Sequence, residues 1–294
     1  MLKRHIQSFT LLGLIACSTS SYAAYSAKVI SAEFPAWVSY ENKGMQPIHV
    51  GMQIYAGAQI HTGAQGKALL QMPEGSTVKL GNNARFGLNK LKKKSGIWQS
   101  SLSVLTGAFR FTTALVAKKE KRNINLHIGT ITAGIRGTDV WGKSSEAKDI
   151  VCLLEGKIAV SNQENKTPHM MEEAMMFYVK PKTQAGMQET VAAVLPEQVT
   201  KWAQETDIEN KMGAAMPTEN ANNEAWALIV TGTPKQIQKA KKAFYSAGYP
   251  IRNLDTRTLY LSHLNSEEYA QKIQADWQNM LQNTPLTISI QPDF

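Results

Sequence analysis

Cysteine is nearly missing from this chain: Cys17 and Cys152 are the two among 294 residues. If Cys17 leaves with an N-terminal leader, no intramolecular disulfide can form, and the fold must stand on its hydrophobic core. Cys152 itself lies in the apolar run Ile150–Leu154 and reads as a buried, inert thiol. Histidine is also scarce, with six in the chain, and none neighbours a Ser or Cys that could act as a nucleophile. There is no zinc-ligand spacing, phosphate-binding Gly loop or nucleophile elbow. The chain is therefore read as non-enzymatic and without a cofactor. A hydrolase assembled from residues distant in sequence is the reading this sets aside. Beyond residue 23 no apolar run is long enough to span a bilayer. Acidic residues are the minority, 23 against 32 basic ones, for a net charge of +9. That balance favours anionic partners.

What is present begins with an export signal. Lys3, Arg4 and His5 form a basic segment, Phe9 to Cys17 an apolar one, and Ser21-Tyr22-Ala23 a small-x-small cleavage site. Cleavage after Ala23 removes Lys3 and Arg4 and leaves a charge of +7. A competing reading is Leu14-Ile15-Ala16-Cys17, which resembles a bacterial lipobox and would place a lipid anchor on Cys17. Export disfavours nucleic acid as the anionic partner.

From Ala27 onward, short runs of apolar and β-branched residues alternate with Gly turns. Examples are Gln53–Gly57, Gln59–Gly63, Lys67–Met72 and Ser76–Leu80. This spacing predicts an all-β module. Its centre is Thr130–Gly142, an alternating run expected to break at Ala133-Gly134 and to turn at Arg136-Gly137-Thr138. The run Ile150–Leu154 follows and turns at Gly156. Gly134, Arg136, Gly137, Thr138, Asp139 and Gly156 are assigned to this structural motif, with Asp139 pairing or capping. Two basic clusters are expected at turns: Lys92, Lys93 and Lys94 at a hairpin tip, then Lys118, Lys119, Lys121 and Arg122 in a loop. Both are candidates for contact with an anionic surface. The stretch His169–Met176 is weighed as a soft copper site against a terminal strand with core methionines, and the strand is preferred, so no metal is assigned.

Gly51–Thr62, Glu74–Leu80, Leu105–Phe111, Gly134–Thr138 and Glu155–Val160, in this order, resemble the FecR domain of Gram-negative bacteria over about residues 45–162. The resemblance implies a periplasmic all-β module. Signalling members of that family place a cytoplasmic anti-sigma segment and a transmembrane helix before the domain. Here a signal peptide is what precedes it, which points away from contact with a sigma factor.

Pro196 to Asp207 predicts a short helix with Val199, Trp202 and Ala203 on one face. Residues 209–223, rich in Asn, Ala and Glu, read as a linker. The remainder has the order β-α-β-β-α-β, with Thr233-Pro234 opening the first helix and Gly248 ending it. That is a ferredoxin-like α+β pattern. It resembles the SPOR domain, a periplasmic module that binds peptidoglycan glycan. The resemblance makes Arg257, Tyr260 and Ser262 candidate ligand residues on an exposed sheet. The expected organisation is a signal peptide at 1–23, an all-β domain at 24–180, a short helix and linker at 181–223, and an α+β domain at 224–294. The leading function is binding or scaffolding at the cell wall, to peptidoglycan or an anionic envelope polymer. The alternative is a periplasmic signalling adaptor whose FecR-like domain binds another envelope protein.

Overall fold

The computed structural model describes residues 24–33, 35–41, 45–113, 121–135, 137–182, 189–208, 226–247, 249, 251–264 and 267–293. The expected leader with Cys17, Lys118 and Lys119, Arg136, the 209–223 linker and Gly248 lie outside the described residues.

Seventeen strands build a sandwich of two sheets that share one long strand. Sheet A runs from β4 (Gln53–Tyr55) through β1 (Ser26–Glu33), β6 (Lys67–Gln71), β7 (Thr77–Leu80) and β9 (Ile97–Thr112). It continues through β12 (Asp139–Ser144), β13 (Lys148–Glu155) and β16 (Met176–Pro181) to β17 (Thr190–Ala193). Sheet B runs from β3 (Gln46–Pro47) through β2 (Ala36–Tyr40), β5 (Ala58–Thr62) and β8 (Arg85–Lys94) to β9. It continues through β10 (Lys121–Ile128), β11 (Ile131–Ile135) and β14 (Ile158–Asn162) to β15 (His169–Met171). Pairing is antiparallel except between β9 and β10.

The alternation in sequence becomes the sandwich core. On the sheet B stretch of β9, Trp98, Ser100, Leu102 and Val104 point inward; after Gly107 the inward residues are Phe109 and Phe111. The parity reverses where β9 leaves one sheet for the other. Gly107 has φ +84°, and a Cβ there would strike the backbone of Ala84. A side chain is excluded at that crossing on both counts.

The C-terminal residues form a second sheet in the order β19 (Arg252–Asn253), β20 (Thr258–Leu264), β18 (Trp226–Thr231), β21 (Thr287–Pro292). Two helices, α2 (Pro234–Ser246) and α3 (Glu267–Met280), follow β18 and β20 in the chain. Thr233 and Gln236 form the reciprocal bonds of a capping box at the start of α2: Gln236 Oε1 accepts from the Thr233 amide at 2.7 Å, and the Gln236 amide donates to Thr233 Oγ1 at 3.4 Å. Phe244 stacks on Trp277 at 3.9 Å between centroids, and Tyr249 meets Trp277 edge-on at 5.3 Å. This unit touches the sandwich where the Ala64 amide donates to the Ala247 carbonyl at 3.3 Å.

Candidate interaction site

The expected central motif is where the chain changes sheets. Strand β11 does not break at Ala133-Gly134. It continues to Ile135, with Gly134 paired between Asn125 and Ala159. The turn after Ile135 carries the chain from sheet B to sheet A, and the turn at Gly156 carries it back. These turns pack on each other: a Cβ on Gly156, whose φ is +93°, would lie 2.7 Å from the Gly137 carbonyl oxygen. Thr138 is buried beside them. Asp139 accepts two hydrogen bonds from Arg110, at 2.9 Å from Nε and 2.7 Å from Nη2. The forked guanidinium matches the carboxylate, and the Asp139 partner is thus identified as Arg110.

The outer face of sheet A is split into an apolar and a basic half. Trp141, Cys152 and Phe177 are neighbours in one row, and Ile150 and Val179 in the next. Helix α1 (Pro196–Thr206) covers this half and makes a small second core outside the sandwich. Trp202 stacks on Trp141 at 4.7 Å with 5° between planes, and Phe177 packs edge-on at 6.2 Å. The covered strand β13 is thereby buried on both faces, which explains its unbroken apolar run. Burial pushes the Cys152 thiol up to about 12, with the nearby Asp139 charge adding to it. It is not a nucleophile at neutral pH.

The acidic end of α1 lies over the basic half. Lys143 pairs with Glu205 at 2.7 Å and Lys79 with Asp207 at 2.8 Å. Lys67 Nζ donates to the Asp207 carbonyl, where cations also suit the negative end of the helix dipole. The Lys79 hydrogen bond and charge hold the Asp207 carboxyl below its ordinary range. Beside the helix is a cleft of about 600 Å³, with Ile150, Phe177, Val179 and Trp202 among its walls and Lys143 and Lys148 at its rim. A second cleft, of about 500 Å³, lies across the Lys143–Glu205 pair and reaches Asn82 and Thr106.

The other expected site residues fall elsewhere. Lys92, Lys93 and Lys94 are not in a turn: they belong to β8, and Ser95-Gly96 alone make the hairpin tip. Lys121 and Arg122 are likewise in strand β10 rather than in a loop. The parallel pairing of β10 with β9 brings these two clusters together, because Ile97 has Lys94 on one side and Lys121 on the other. Lys93 Nζ lies 4.9 Å from the Trp98 ring centroid. In the stretch weighed for copper, Met171 is buried in the core while His169 and Met170 are exposed on edge strand β15. Among the described residues no group of three His, Cys, Asp or Glu could hold a metal ion.

On the C-terminal sheet, Tyr260 lies in β20 and bonds Asp293 through its hydroxyl; burial and that contact push the phenol up to about 12. Ser262 lies in the same strand. Arg257 is in the bend before β20, not on the sheet. The guanidinium that neighbours Tyr260 across the ladder is Arg252, a register that nothing local in the sequence marks. Also missed were the partners of α1. The signal was present in Trp202 and in the acids Glu205 and Asp207, but their receptors on the four distant strands β6, β7, β12 and β16 carry no local mark.

Residues 58–159 match the family model for FecR protein. Among solved structures, two crystal structures of a candidate anti-sigma factor from Parabacteroides distasonis are similar to this chain. They align with TM-scores of 0.41 and 0.42 at 12% and 13% identity, over 79% and 78% of this chain and 98% and 97% of theirs. No curated protein matches the chain.

Proposed function

We propose that this chain is a non-enzymatic adaptor of the bacterial envelope, whose β sandwich binds another envelope protein through the outer face of sheet A. The cell-wall reading raised from the sequence yields to its alternative. The FecR protein match falls on the sandwich and stops before the C-terminal unit, so it favours a function seated on the sandwich. The observation that carries the reading is the cleft beside α1. It combines an aromatic wall, lysines at the rim and a helix already seated on the same face. That mixture suits a protein segment with apolar and acidic side chains. In this reading residues 1–23 export the chain to the periplasm, with cleavage after Ala23 or lipidation at Cys17. The C-terminal unit, ferredoxin-like in its element order, supports the sandwich. No helix among the described residues is long and apolar enough to cross a membrane.

The test is photo-crosslinking in a Gram-negative host from Lys148 at the cleft and from Leu195, which is 64% exposed before α1. The expected result is one discrete protein adduct that survives about 1 M salt, where charges are screened beyond ~3 Å. If neither position yields a protein adduct, and residues 24–294 pellet with purified sacculi, the adaptor reading fails and the cell-wall reading returns.

A further inference from the structure

The outer face of sheet B is basic like half of that of sheet A, but its lysines alternate with amides and hydroxyls rather than lying beside aromatic side chains. Its centre is the β8–β9 hairpin with β10 added in parallel. The hairpin closes on Ser95-Gly96, with φ of +50° and +76°, a two-residue turn whose twist matches the strands. Lys90, Lys92, Lys94 and Lys121 therefore sit on the ladder itself. Lys94 and Lys121 flank Ile97 in the outermost row. In the next row Lys92 stands beside Gln99 and Asn123. In the third, Lys90 stands beside Ser101 and Asn125. These side chains are exposed or half-buried, while the alternate residues Leu91, Leu102, Ile124 and Leu126 fill the core.

Among the described residues the strands of this face carry no opposing charge. The sheet B stretches of β8, β9, β10, β11 and β14 contain no Asp or Glu at all, although the chain has 23. The surface is low as well as basic, since Gly134 and Ala159 continue the third row outward across β11 and β14. Five strands spaced ~4.8 Å apart give a width of about 19 Å, and the two row steps of ~6.8 Å between the three rows give a length of about 14 Å.

We propose that this face is a binding site for an acidic polysaccharide. The lysines would meet its carboxylates. The interleaved amides and hydroxyls of Gln99, Asn123, Asn125 and Ser101 would bond its sugar hydroxyls, as groups that can both donate and accept. A lipid surface fits less well, because Ile97 is the sole large apolar side chain in the lysine-bearing rows and is half-buried. Single-stranded nucleic acid fits less well too, because the three rows offer no exposed aromatic for base stacking. The site does not share residues with the sheet A cleft, so either can fail without the other.

The experiment is affinity electrophoresis of the mature chain, residues 24–294, in native gels cast with polygalacturonate, with dextran as the neutral control. Vesicles of phosphatidylglycerol and phosphatidylcholine are tested in parallel by flotation. The expected result is retardation by polygalacturonate but not by dextran. It should weaken about 10-fold or more in Lys92→Glu/Lys94→Glu, a reversal of two face charges. It should persist in Lys239→Glu/Lys242→Glu, which removes the same net charge from helix α2. Asn125→Ala should also weaken retardation, which a purely electrostatic polyanion trap would not show. If the reversed pair misfolds by its melting curve, Lys92→Gln/Lys94→Gln replaces it. The proposal is overturned by no retardation of the wild type, by equal loss in the face and α2 variants, by an unaffected Asn125→Ala, or by vesicle binding without polysaccharide binding.

Discussion

Replacing Trp202 by Ala removes the main anchor of α1. Truncating a fully buried Phe or Trp costs about 3–5 kcal/mol. Trp202 is half-buried, so the area-linked part falls below that range. It also loses a parallel stack on Trp141 and an edge contact with Phe177, each of a kind worth about 0.5–1.5 kcal/mol beyond area. Together about 2–3 kcal/mol of docking energy should go. What remains is weak. The helix has 11 residues and starts at Leu195 without a side-chain cap, and a helix of that length is marginal alone. The pairs Lys143–Glu205 and Lys79–Asp207 are exposed enough to contribute about 0–1 kcal/mol each. Local opening should therefore become about 30- to 150-fold more frequent, at 1.4 kcal/mol per tenfold. Hydrogen exchange followed by mass spectrometry reads this directly. Peptides covering 196–206 should lose protection by that factor, and peptides from β7 and β10 should keep theirs. Unchanged exchange in α1, or equal loss in β7 and β10, would refute the view that α1 is a separately docked element.

Three further outcomes follow from the same geometry. Because the folded Asp207 carboxyl is depressed by Lys79, its contribution to docking is fully present above the ordinary Asp value near 3.8 and is lost as pH falls through the lower folded value; tryptophan fluorescence should stay flat from about pH 7 to 5 and change only below about 4, and a transition near pH 6 would contradict this. The Cys152 thiol should resist Ellman's reagent at pH 8 in the native chain and react at once in denaturant, whereas fast native labelling would contradict its burial at the sheet A–α1 seam. Arg110→Ala strands a largely buried carboxylate on Asp139 and should cost about 1–3 kcal/mol in urea unfolding, with Asp139→Ala added to it costing little more; strictly additive losses would show that the two groups are uncoupled.

Local chemistry is legible in the sequence, and partnership is not. Strands β4 to β7 coincide with the Gly-punctuated runs because each is short and closed by its own turn. The start of α2 is legible in Thr233-Pro234, because capping acts over three or four residues. The parallel joining of β10 to β9 has no such mark. It follows from core packing of inward Ile124, Leu126 and Ile128 beside Leu102 and Val104. The consequence for function is direct, since Lys92 and Lys94, which read as a hairpin tip, and Lys121, which reads as a loop residue, stand on one surface. Arg252 and Arg257 make the same point on a smaller scale: a bend of a few residues decides which guanidinium stands beside Tyr260. Gly134 reads as a break because glycine often is one, yet here it is a ladder position.

The periodicity of each strand also says what lies outside it. Strand β13 is apolar at successive positions because α1 covers its outer face, whereas β10 alternates from Asn123 to Ile128 because its outer face meets water. Strand β9 carries both conditions in one run. Before Gly107 its outer residues are Ile97, Gln99, Ser101, Ser103 and the exposed Leu105; after it they are Ala108 and Arg110, beside Trp141 and Lys143. The crossing at Gly107 therefore separates a solvated, mostly polar face from an occupied aromatic and basic one. A ligand on either face can influence the other by bending β9 at this point or by shifting the packed turns at Gly137 and Gly156, where a Cβ on Gly156 would meet Gly137 and Thr138. Gly107 has φ +84° and no room for a Cβ against Ala84, so the crossing has little freedom to bend. The two faces should accordingly bind independently, with affinity at one unchanged when the other is filled.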